Sequence, residues 1–306
     1  MRKLDRRTFL KAMGAGAAGA GLLGGPFVEG TAEAATPRVV VVRGTDPLAM
    51  LKAALKVFPE LESAVKGKKV ALKPNMSFRN PAAWGNNTSP EVAAAVAELC
   101  RQWGAAQITA VDHILSSPQS ITACGVGPAL AKVGHVQVLS AHLRSDYVER
   151  AVPKGKQLKS TYVPRVVANA DLLINIPNAK QHNESRVSFG LKNLMGLVWD
   201  RKYFHELINL HQGIADLSTL LTPRLTVIDA TRVMVNNGPQ GPGTVEKLQA
   251  IVVGLDPVAT DAVALGLTKW RGQTLEPKDV EHLRLAAAAG VGVADLSRIK
   301  VIKKRV

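Results

Sequence analysis

Short polar segments follow apolar runs of strand length in this sequence, and they carry the residue types that bind and move charge. Lys73-Pro74-Asn75 ends the run 69–73. Asn178-Ala179-Lys180-Gln181-His182 follows the run 171–176, and Asp229-Ala230-Thr231-Arg232 closes the run 225–229 and leads into the glycine- and proline-rich segment 236–243. A further segment, Ser188-Phe189-Gly190-Leu191-Lys192-Asn193-Leu194-Met195-Gly196, is apolar apart from Ser188, Lys192 and Asn193. Read as a helix, it sets Ser188 and Lys192 on one face. A lysine in such surroundings must reach out to water, pair with an anion or give up its proton.

The chemistry these types fit is a pocket for a small anionic ligand. Lys73, Lys180 and Lys192 neutralise it, Asn75, Ser188, Asn193 and the backbone at Gly238 orient it, and His182, Lys192, Asp229 or Asp261 moves a proton. Asp261 stands in a run, 258–267, that is otherwise apolar or small except for Thr260. An unpaired carboxylate there is costly, so Lys73, Lys180 or Lys192 is its expected partner. Asp256, directly before Pro257, reads instead as a helix N-cap.

Other chemistries fit less well. His205 and His211 fall on different faces of one helix, and no histidine or cysteine spacing demands zinc. A metal set could be drawn from His182, His211 and Asp229, so the metal question stays open. Cys100 and Cys124 cannot hold an iron–sulfur cluster alone, and no such cofactor is expected. Cys100, in an apolar run, reads as a buried free thiol. Segment 236–243 lacks the Lys-Ser/Thr ending of a P-loop, and no GxGxxG follows the first strand. Phe78 and Trp84, with Phe189, Trp199, Tyr203 and Phe204, cluster beside the polar motifs and read as a pocket wall.

The elements that must position these residues alternate. Apolar runs at 38–43, 69–73, 108–112, 136–140, 171–176, 225–229, 250–255 and 299–302 read as strands. Patterns at 47–58, 90–103, 207–221, 257–270 and 277–289 read as helices. Near-continuous apolar strands separated by helices predict an α/β fold, with a mainly parallel sheet and helices on both faces. In such a sheet, ligands sit beyond the carboxyl ends of the strands, where the polar segments fall. The polar stretch 141–161 interrupts the alternation as a hairpin or an excursion. Residues 35–306 are expected to form a single domain.

Composition sets the boundaries. Of 306 residues, 46% are hydrophobic and 21% charged, which excludes a multispan membrane protein, a collagen-like chain and a disulfide scaffold. Residues 1–34 read as a signal peptide: Asp5-Arg6-Arg7-Thr8-Phe9-Leu10-Lys11 is a twin-arginine pattern, a Gly/Ala-rich stretch follows, and Ala32-Glu33-Ala34 fits a cleavage site. The expected partner is the twin-arginine export machinery and the expected location periplasmic or otherwise extracytoplasmic, with no stable membrane span after cleavage. The balance of 39 Lys+Arg over 24 Asp+Glu gives +15. With no nucleic-acid motif, this charge points to anionic envelope surfaces or a small anion rather than nucleic acid.

At these residues the chain resembles the bacterial and archaeal family called domain of unknown function 362. The pattern stands here as Lys73-Pro74-Asn75, Lys180-x-His182, Ser188-x-x-x-Lys192-Asn193-x-x-Gly196, Gly238-Pro239-x-Gly241 and Asp256-Pro257-Val258-Ala259-x-Asp261. The resemblance covers most of the chain beyond the leader. It implies an α/β fold with these residues gathered at one site. Many relatives carry cysteine-rich iron–sulfur segments, which this chain lacks.

Overall fold

Strand β1 (Arg38–Arg43) shows why the sheet is covered on both sides. Val39 packs into one apolar cluster and Val40 into another, on the opposite face. The structure, a computed structural model, describes residues 36–114 and 118–306; the leader pattern of residues 1–34 lies outside them. The chain continues through α1 (Pro47–Leu55), α2 (Glu60–Val65), β2 (Lys69–Pro74), α3 (Pro90–Gln102), β3 (Gln107–Asp112), α4 (Val126–Val133) and β4 (Val136–Ser140). A separate hairpin, β5 (Tyr147–Ala151) and β6 (Ser160–Pro164), fills the polar interruption. Then come β7 (Leu172–Ile176), β8 (Asn178–His182), β9 (Arg186–Ser188), the short α5 (Gly190–Asn193) and α6 (Leu210–Leu220). The chain closes with β10 (Leu225–Met234), β11 (Val245–Glu246), β12 (Ala250–Gly254), α7 (Pro257–Leu265), α8 (Glu281–Ala288) and β13 (Lys300–Arg305).

The main sheet runs β13-β1-β12-β10-β7-β2-β3-β4, with β8 and β11 attached alongside β10 and β9 paired to β8. Along the main path the pairs are parallel except where β12 meets β1 and β10; β8 joins β10 in parallel, while the β8–β9 and β10–β11 pairs are antiparallel. The fold is therefore mixed α/β, with a mostly parallel main sheet flanked by helices, as the alternation predicts. Among the described residues no helix is long and apolar enough to cross a membrane.

Several elements differ from the sequence reading. The helix expected over 47–58 ends at Leu55, since Pro59 disfavours helical backbone at the residue before it, and a second helix, α2, starts only after Pro59. The helix expected from 207 starts only at Leu210, where the Asn209 side chain accepts from the Gln212 N–H; Tyr203–Leu207 before it winds as one wide π-turn. Patterns 257–270 and 277–289 are each shorter helices with turns attached. Ser188 ends a strand, so it does not share a helical face with Lys192. The polar strand β8, fully buried, carries no apolar run and was not expected.

Candidate functional site

The carboxyl ends of β2 and β3 meet in a buried ion pair. Lys73 Nζ lies 3.0 Å from Asp112 Oδ1, and both side chains are excluded from water. Asp112 Oδ2 accepts from the Met76 N–H at 2.8 Å and the Ser77 hydroxyl at 3.2 Å, fixing the loop that carries Asn75. Burial lowers the Lys73 pKa, while the Asp112 carboxylate opposes that fall. Gly196 covers the pair: a Cβ there would stand 2.3 Å from Asp112 Oδ1 and 2.6 Å from Lys73 Cε, so only glycine permits this approach.

An amide chain leads from the ion pair to α5. Asn193 donates to the Lys73 carbonyl at 3.0 Å and to Asn175 Oδ1 at 2.8 Å, and Asn175 donates to the Gly190 carbonyl at 2.8 Å. Asp261 closes the chain from the other side. Its two oxygens accept from the Gly190 N–H (2.8 Å) and the Leu191 N–H (2.9 Å). This corrects the expectation that Asp261 pairs with a lysine: the carboxylate satisfies the open amides at the start of α5 and so aims Lys192. Burial nonetheless raises the Asp261 pKa to about 7.

In front of this network opens a cleft of about 440 Å³. Asn75, Lys180, His182, Ser188, Lys192 and Asn193 all border it. Lys180 donates to the Asn86 carbonyl, and its ammonium lies 5.2 Å over the Phe78 ring. Lys192 Nζ makes no hydrogen bond or ion pair with any described residue. Burial lowers Lys180 to about 7, with help from Lys73 and Lys192; burial and then Arg201 lower Lys192 to about 8.

Two residues that sequence reasoning missed complete the site. Asp112 follows the same end-of-strand rule as Lys73 and could have been found by it. Arg201, which also borders the cleft, left no local signal. Its Nη2 donates to the His113 carbonyl, while its buried Nε has no partner among the described residues.

His182 has its tautomer set by the backbone. Its Nδ1 accepts from the N–H groups of Glu184 (3.2 Å) and Ser185 (3.3 Å), which leaves the proton on Nε2. Burial, then Lys192, holds its pKa down at about 2. His182 is thus a neutral hydrogen-bond donor rather than a ready base.

The remaining candidates lie elsewhere. Lys73 stands behind the cleft, in the ion pair. Asp229 is buried against α3 and accepts from the Ser89 N–H at 2.6 Å and from the Thr231 N–H and hydroxyl. It holds two segments together, and its place in the pocket is not borne out. Gly238 also stays off the cleft wall: it packs so closely on β8 that a Cβ would meet the Gln181 carbonyl at 1.8 Å. Its neighbour Pro239 reaches the cleft instead. Of the clustered aromatics only Phe78 borders the cleft. Phe189 and Phe204 are core residues, and Trp199 packs on Tyr147 and His113. His182, His211 and Asp229 belong to no metal-binding group among the described residues. Cys100 and Cys124 are buried and unpaired, and burial pushes them up to about 12 and about 11, so both stay thiols.

Behind the site, His282 of α8 stacks on His211 of α6 with ring centroids 5.7 Å apart, and neither Nδ1 has a partner among the described residues. Burial lowers His282 from 6.5 to about 3. Between those values the unfolded chain binds a proton that the folded chain refuses, so stability falls as pH drops through that window. His282→Leu removes this liability. Relative to the unaltered protein, the variant is expected to gain about 2 kcal/mol between pH 7 and pH 5 in urea unfolding. A pH-independent difference would mean that His282 titrates normally.

Fold and cleft together define an α/β protein with a basic, amide-buttressed hollow at the carboxyl edge of its parallel strands. The chain belongs to the family described as Domain of unknown function (DUF362), which it matches over residues 70–266. It is 27% identical over 230 residues to a thylakoid-associated protein of Synechocystis sp., covering 71% of this chain and 70% of that one. Among solved structures it is similar to the lactate racemase apoprotein from Thermoanaerobacterium thermosaccharolyticum, with a TM-score of 0.43 and 15% identity. That match covers 64% of this chain and spans about half, 50%, of the racemase chain.

Proposed function

We propose that this protein works outside the cytoplasm after twin-arginine export and binds a small anionic ligand in the cleft. One observation carries the binding reading: Lys180, Lys192 and Arg201 border a single cleft, and none of them forms an ion pair with a described residue. Glu184 and Glu206 also border the cleft, but neither forms an ion pair with these three cations, and an anion relieves the repulsion that remains among them. The leader pattern and the thylakoid-associated relative support a setting at or beyond a membrane.

A second reading, an enzyme that moves a proton beside the anion, is favoured by Lys192. An unpartnered amine lowered to about 8 holds a neutral fraction near neutral pH. Lys192 Nζ would take a proton from the carbon next to a carboxylate held by Arg201 and Lys180, and the carbon's electron pair would delocalise onto that carboxylate. His182, through Nε2–H, would donate a hydrogen bond.

The test is calorimetric titration with butyrate, succinate and inorganic phosphate across pH. Affinity is expected to fall as pH rises through about 8 and Lys192 loses its charge. Binding that ignores pH, or no binding, overturns the reading. Deuterium entering beside the carboxylate from D2O marks the enzyme; binding without exchange marks the binding protein.

A further inference from the structure

On the far side of the β8–β9 hairpin lies a second hollow of about 550 Å³, and His182, Asn183 and Glu184 border both. Arg186 and Arg271 line this second hollow. Each occupies left-handed backbone, with φ of 64° and 51°.

Arg186 follows the short connection between β8 and β9, at a position where glycine or asparagine is the inexpensive choice. Arg271 opens the tight turn between Trp270 and Gln273, which exchange backbone hydrogen bonds of 2.9 and 3.0 Å. Gly272 follows at φ 76°, so both central residues are left-handed, a turn that favours Asn-Gly. Two unrelated turns therefore each hold an arginine where a smaller residue would relax the backbone, and both face one hollow. Neither guanidinium makes a hydrogen bond or ion pair with a described residue. Glu184, the carboxylate at this hollow, lies 2.6 Å from His205 Nδ1 and is engaged there. Strain of this kind clusters at ligand-binding sites, and arginine presents a fork that fits carboxylate or phosphate oxygens.

We propose that the ligand carries two separated anionic groups, one against Lys180, Lys192 and Arg201 and the other against Arg186 and Arg271, with His182 at the border between them. The proposal rests on the anion-binding reading of the first cleft.

The full chain is titrated with butyrate, succinate, glutarate and adipate at constant ionic strength. At least one dicarboxylate is expected to bind about tenfold tighter than butyrate, the size of one added charge-assisted contact. In an Arg186→Gly/Arg271→Asn double variant that preference should vanish while butyrate affinity holds, and the melting temperature should rise as the turns relax. No dicarboxylate preference in the unaltered protein, a preference that survives the double variant, or a lower melting temperature overturns the proposal. The last outcome would make the arginines structural. Those results leave the first cleft's reading standing, whereas failure of butyrate itself to bind removes both.

Discussion

Lys192→Met is expected to leave the fold intact and to weaken butyrate or succinate binding by roughly a hundredfold or more. Folding is spared because Lys192 Nζ has no partner to strand: the change removes a desolvated, unpaired charge and keeps an unbranched apolar stem of similar length. Binding suffers because that same charge is buried and faces a cleft whose other cations hold positions of their own. Calorimetry reports the affinity, and thermal unfolding at the same pH reports the fold. A variant that melts far below the unaltered protein would show that Lys192 is structural. Unchanged affinity at an unchanged melting temperature would show that anions do not use this cleft.

The second large effect concerns stability. Asp112→Asn should cost about 3–5 kcal/mol, because it leaves the Lys73 ammonium buried beside a neutral amide. Asparagine can still accept from the Met76 N–H, so the loss isolates the charge rather than the loop. Adding Lys73→Met to Asp112→Asn should recover part of that loss, since the stranded charge goes with it. Urea unfolding of the two single variants and the double gives the coupling directly. Strictly additive costs would mean that the two groups, 3.0 Å apart, do not stabilise each other. The pair also underlies the cleft: Asn193, next to Lys192, bonds the Lys73 carbonyl and accepts from its ammonium at 3.3 Å.

Much of the site's address was legible. Lys73, Lys180 and His182 stand at or just beyond strand ends, and strands buried on both faces announce themselves as apolar runs. Lys192 drew attention as a charge in an apolar segment, and the structure buries it. Asp261 drew attention for the same reason and was misassigned, because a buried carboxylate can be satisfied by backbone amides as well as by a cation, and sequence does not distinguish the two. Asp229 was misassigned likewise: Thr231 stands two residues on in β10, but the other partner, Ser89 at the start of α3, is far away along the chain.

The amino-acid order alone determined the α/β class, the mostly parallel sheet and the end of the sheet where polar groups collect. These follow from local periodicity and from turn chemistry, which act over a few residues. Which polar groups share a cleft, that Arg201 joins Lys192, and that two strained turns aim Arg186 and Arg271 into one hollow were decided only in three dimensions. The physical reason is that burial, ion pairing and hydrogen bonding depend on which strands lie side by side, and β2 meets β3 and β7 through crossovers that no local pattern encodes.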